Sequence, residues 1–108
     1  MKAGTLRHLI TIERPHTSKV DGAQVVFWEF FAEVWANIEQ MRSFDRSNIQ
    51  SVFPGADHFI KLRYLEGVTA DMRAVYNNTV YSILGTPNNV EGRNRELILT
   101  AQSGVKES

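Results

Sequence analysis

The sequence predicts a mainly β fold: a small antiparallel β-barrel of about six strands with one short inserted α-helix and long loops. Three observations carry this. Apolar residues recur at period two in short runs, with little sign of the 3.6 period of helices. Turn dipeptides such as Asp21-Gly22, Pro54-Gly55 and Asn77-Asn78 separate those runs. No βαβ alternation is present, so the strands must pair antiparallel. Closing the sheet then removes edges that so small a chain cannot otherwise cover.

The first strand spans Leu6 to Arg14, with Leu6, His8, Ile10 and Ile12 on one face and Leu9 as the apolar exception on the other. Pro15 is expected to end it or confine it to an edge. His16 to Gln24 reads as a polar loop, with Asp21-Gly22 as its turn. The ribbon Val25 to Gln40 follows. Its first half is apolar on both faces, and its second half sends Val34, Ala36 and Ile38 inward and Glu33, Trp35, Asn37 and Glu39 outward. A bulge near Phe31-Ala32 would let this ribbon serve two parts of a barrel.

Arg42 to Phe53 is the helical candidate, capped by Ser43 with Asp45 in its first turn, and Pro54-Gly55 ends it. The ribbon counted in two parts places this helix between the third and fourth strands. Asp57 to Leu65 alternates His58, Ile60, Leu62 and Tyr64 against Phe59, Lys61, Arg63 and Leu65. Thr69 can cap one helical turn. Arg73 to Gly85 reads as a hairpin around Asn77-Asn78, residues that tolerate positive φ. Thr86 to Asn94 is expected to be a loop. Leu97, Leu99 and Ala101 form the inner face of the closing strand.

The 108 residues suffice for one domain, 1–108, with an ordered core of about 5–102 and a flexible tail at 103–108. There are no cysteines, which excludes disulfides, thiolate metal sites and cysteine nucleophiles. Twelve basic residues balance twelve acidic ones. Proteins that grip nucleic acid by its backbone usually carry a basic excess, so neutrality argues against that class. The N-terminus is too polar for a signal peptide or membrane span, and the chain reads as a soluble protein used without secretion.

The inventory for catalysis is poor. His8, His16 and His58 are scattered, and no serine sits in a nucleophile motif. No catalytic residue, metal site or cofactor is expected. Glu29, Glu33 and Glu39 alternate along one ribbon and read as a solvated face. The aromatic ribbon "FWEFF" reads as part core and part protein interface. A base-stacking platform would need a basic surround that this ribbon lacks. Arg63 and Arg73 flank the turn at Gly67 and Thr69, which suggests neighbouring positions on adjacent strands. Carboxylate or carbonyl partners suit them better than DNA.

Four segments in order resemble the head–tail joining proteins of tailed bacteriophages, also called head-closure, stopper or head–tail adaptor proteins. They are "AGTLRHLITIERP", "FWEFFAEVWANIEQM" with Trp28 and Trp35, "HFIKLRYLEGVTADMRAVYNNTVYSILG", and "NVEGRNRELILTA" with Arg95. The likeness runs from Ala3 to about Ala101. The segment after Met41 departs from it, being poorer in alanine and glutamine.

The resemblance implies a non-enzymatic structural protein of the virion, made in the host bacterial cytoplasm. It implies a ring, a dodecamer, beneath the portal and its adaptor. The ring closes the head channel after packaging and offers a docking surface to tail-terminator or other tail proteins. Contact with packaged double-stranded DNA would be transient and non-specific, with no membrane involved. A cyclic ring needs two different complementary patches per subunit. The loop candidates for gating or interfaces are Lys19, Asp21 and Gln24, and Arg42, Phe44, Arg46, Gln50 and Phe53. The candidates for intersubunit polar contacts are Arg7, Glu29, Glu33, Arg63, Arg73 and Arg95. The alternatives are a neighbouring neck or tail-completion protein and, from another class, a small barrel that binds single-stranded nucleic acid.

Overall fold

The computed structural model describes residues 6–105. Six strands and one helix follow in order: β1 (His8–Val20), β2 (Ala23–Gln40), α1 (Ser43–Ile49), β3 (His58–Arg63), β4 (Arg73–Tyr76), β5 (Thr79–Asn89) and β6 (Glu96–Val105). A 3-10 turn at Val90–Gly92 precedes β6. The strands form one antiparallel sheet in the order β1-β2-β3-β6-β5-β4, and β4 pairs back onto β1 to close it.

The period-two alternation builds the interior. Ile10, Ile12, Ala36, Ile60, Leu62, Ala74, Leu99 and Ala101 are fully buried and come from β1, β2, β3, β4 and β6. Tyr81 and Ile83 of β5 complete the core. In β2, Ala32 faces Ile12 while Phe30 faces Glu13, so Phe31 is the extra residue of a bulge. The expected bulge is therefore present.

The largest difference from the sequence reading lies at His16 to Gln24. It is not a loop. β1 runs on through Pro15 to Val20 and pairs with β2 up to a two-residue turn, Asp21 (φ 51°) and Gly22 (φ 81°). Beyond Glu13, β1 has no neighbour but β2, so Pro15 meets the tolerance of an edge strand. Likewise β2 pairs with β3 only over Ala36–Gln40. The distal parts of both strands therefore form a two-stranded arm, and the molecule extends 47 Å along its long axis against 29 and 27 Å across.

Other boundaries also move. The ribbon is one strand, so α1 lies between the second and third strands. Ser43 does not cap it; Arg42 is the N-cap residue, and the Asp45 carboxylate accepts its backbone N–H at 3.4 Å. The helix ends at Ile49, short of Phe53. Thr69 sits in a turn without a helix, where its hydroxyl donates to Asp71. Thr86–Asn89 extends β5 instead of forming a loop. Ser103–Val105 is strand because β6 pairs with the start of β5 there, so it is not a loose tail. Ala3 to Thr5 of the family-like opening and Lys106 to Ser108 of the tail lie outside the described residues.

Arg63 and Arg73 are not on adjacent strands. β3 lies between β2 and β6, whereas β4 lies between β1 and β5. Proximity in sequence across a turn misleads here because closure sends the two strands to different neighbours.

Candidate functional site

Among the described residues, no group of three or more histidine, aspartate or glutamate side chains could hold a metal ion. No described helix is long and apolar enough to cross a membrane. What the structure presents is surface. The arm leaves Val26 52%, Phe27 48%, Trp28 38% and Phe30 66% exposed. Cross-strand pairing sorts them. His16 faces Phe27 and Arg14 faces Glu29 on one side, while Glu13 faces Phe30, Pro15 faces Trp28 and Thr17 faces Val26 on the other. Both faces of the ribbon are thus apolar. A two-stranded ribbon is marginal in water by itself.

Polar contacts steady the arm. Arg14 Nε donates to Glu29 Oε2 at 3.2 Å, and His16 Nδ1 lies 3.5 Å from Glu29 Oε1. At the base of the arm, Arg73 Nε donates to Glu13 Oε1 at 2.7 Å, and the Arg73 guanidinium lies over the Trp28 ring. This pair is largely sheltered, with side chains 13% and 17% exposed. Lys19, Asp21 and Gln24 are exposed at the tip.

A cleft of about 490 Å³ opens where β3 parts from β2, lined by Leu6, Val34, Trp35, Arg63, Tyr64 and Leu65. It arises because β2 continues into the arm while the chain after β3 turns away at Glu66-Gly67. Gly67 has φ 94°, and a side chain there would meet the Phe31 ring at 3.1 Å, so glycine suits this turn twice over. Trp35 is 55% exposed on the cleft, and its cross-strand partner Leu9 is 41% exposed. Arg63 lies exposed at the cleft, cross-strand from Glu96.

At the opposite end, the α1 segment joins Gln40 to His58. Phe44 and Val52 stand out from it, 77% and 69% exposed. Arg42 is exposed, and Arg46 is half-buried with an Nε that has no hydrogen-bond partner. Gln50 Nε2 donates to the Ala56 carbonyl at 2.9 Å, and the Phe53 ring packs on Gly85. Gln50 and Phe53 therefore hold the segment in place, whereas Phe44 projects from it. The two ends thus display separate surfaces.

The remaining polar candidates scatter. Arg7 lies exposed just ahead of β1, and Glu33 is exposed on β2. Arg95 is exposed, while its carbonyl accepts the Tyr64 N–H at 3.0 Å.

One polar cluster was not singled out from the sequence. The Asp57 carboxylate accepts from Ser103 Oγ at 2.6 Å and from Ser103 N at 2.9 Å, and His58 Nδ1 lies 2.8 Å away. Burial opposes ionisation of Asp57, but the bonds from Ser103 and His58 together outweigh it and hold the carboxyl below its ordinary 3.8. Burial, with the nearby Asp57 charge, raises Tyr81 above 10.0. The cluster ties the start of β3 to the end of β6. Asp57 and Ser103 are 46 residues apart, so no spacing signal could reveal it.

The sequence matches the family described as phage head completion protein over residues 1–104. No curated protein matches it. The fold is similar to the solution structure of protein SF1141 from Shigella flexneri 2a, with a TM-score of 0.73 and 26% identity over 99% of this chain and 100% of that one. It is also similar in fold to a chain of the virion of a native gene transfer agent particle, with a TM-score of 0.62 and 15% identity over 94% of this chain and 97% of that one.

Proposed function

The chain belongs to the phage head completion protein family and is a structural protein of the virion, and from that premise we propose that it acts at the neck. There it forms a ring, a dodecamer, between the portal or its adaptor and the tail. The ring closes the head channel after packaging and gives tail proteins a surface to dock on. The observation that carries this reading is the arm, where Val26, Phe27 and Phe30 are about half exposed or more on the two faces of a ribbon and Trp28 stays 38% exposed beside the Arg73 guanidinium. Apolar exposure on this scale fits a subunit completed by its neighbours.

The presence of separate surfaces at the two ends supports contact with two different partners. The α1 segment is the element proposed to meet a neighbouring ring and the arm the one proposed to meet the adjacent subunit, with DNA touched only in passage. Balanced charge suits a channel that must hold DNA and release it, since a basic lumen would bind it by counterion release.

Electron microscopy of particles made without this protein tests the reading. Filled heads that leak DNA and lack tails are expected, with tail joining restored by adding the purified chain. Normal tailed particles in its absence would refute the assignment.

A further inference from the structure

We propose that the arm of one copy docks in the Trp35, Tyr64 and Leu65 cleft of the next copy, so that subunits associate head to tail. This rests on the head-completion reading and specifies how one subunit meets its neighbour.

Arm and cleft are both apolar, and both are left open by the chain that carries them. Val26 and Phe27 are about half exposed near the tip, as is Trp35 at the cleft. They do not satisfy each other within one molecule. Nine residues of extended strand separate Val26 from Trp35, about 30 Å at the usual rise. The arm is also braced outward by the Arg73 contacts with Glu13 and Trp28, so it does not fold back on its own cleft. The occupant must come from another molecule.

Charge points to a second copy. Asp21 at the tip has no side-chain partner among the described residues, and neither does Arg63 at the cleft. Docking the tip beside the cleft brings these opposite charges together as the apolar side chains are covered. Contacts between two different patches repeat around a rotation axis and close into a ring when the rotation allows. An arm that paired with another arm would give a two-fold dimer and leave the cleft open.

The absence of cysteine makes cross-linking decisive. Chains carrying Val26→Cys or Gln24→Cys on the arm are mixed with chains carrying Glu66→Cys beside the cleft, then oxidised. This is done in solution and on heads prepared without the native protein. All three positions are exposed, and thermal melts establish that each variant folds. The expected result is a linked dimer in arm-plus-cleft mixtures, with loss of that species when either cysteine is omitted. Links between arm cysteines alone would overturn the proposal in favour of two-fold pairing. Incorporation into heads without any arm-to-cleft link would overturn it and leave the neck role standing. An arm-to-cleft link in solution with no uptake by heads would support the docking and sink the head-completion reading. Neither link nor uptake would sink both.

Discussion

The guanidinium of Arg73 lies 4.2 Å from the centre of the Trp28 ring, and this contact joins the arm to the closed part of the sheet. Arg73 belongs to the short strand β4, which pairs with β1 only over Thr11–Glu13. The stack therefore extends the grip of β4 past the point where its backbone ladder stops.

Replacing Arg73 by alanine removes that stack and strands the sheltered Glu13 carboxylate. The expected cost is about 2 kcal/mol in urea unfolding. Arg73→Lys should recover only part of it, because an ammonium lacks the planar fork. Faster amide exchange along Arg14–Val20, with little change in the core strands, should accompany the loss. An unchanged urea midpoint for Arg73→Ala would contradict this account.

Asp57 gives the fold an acid-sensitive latch. Its folded pKa lies below its ordinary 3.8, so the folded state favours the ionised carboxyl. That contribution is present in full above the unfolded value and fades as pH falls through the folded one. Asp57→Asn should cost about 1–2 kcal/mol at neutral pH. It should also flatten the decline of stability in the acid range around and below 3.8. Denaturant midpoints collected across that range for both proteins check the sign.

Gly85 has φ 69°, and a Cβ there would fall 2.5 Å from the Phe53 ring. Gly85→Ala is therefore strained in backbone and crowded in packing, with an expected loss of about 2 kcal/mol. Displacing Phe53 should also loosen the α1 segment, seen as faster proteolysis between Met41 and Asp57. Wild-type stability in this variant would show that Phe53 is not seated there.

Phe27→Ser tests the arm without disturbing the core. The side chain is about half exposed, so unfolding stability should change by no more than about 0.5 kcal/mol. Tail joining to heads should nonetheless fall sharply, as read by counting tailed particles. Full activity from a stably folded Phe27→Ser chain would argue that the arm meets nothing.

The closed sheet was largely legible because alternation is a local signal. Ile10 with Ile12, Ile60 with Leu62, and Leu97 with Leu99 all face the core as their spacing requires. The Asn77-Asn78 hairpin was equally plain, with both residues at positive φ. His16–Val20 was not legible as strand. Its composition is polar, and what makes it β is pairing with the apolar start of β2. The separation of Arg63 from Arg73 was hidden for a related reason. It depends on β3 choosing β6 and β4 choosing β1, a matter of closure and not of spacing. The aromatic ribbon showed that something must cover it, but not whether that was its own barrel, and the cleft depends on where β3 leaves β2.

The single extra residue at Phe31 acts as a phase setter. Above it the inward positions of β2 are Ala32, Val34 and Ala36; below it their continuation is Glu29, Phe27 and Val25. Between the bulge and the Phe27-Trp28 pair the arm can therefore change length only in steps of two residues per strand. A one-residue indel there would exchange the side that carries Phe27 with the side that carries Trp28, and Arg73 would lose its ring. Length variation among relatives should be quantised accordingly, with odd steps accompanied by loss or relocation of the bulge.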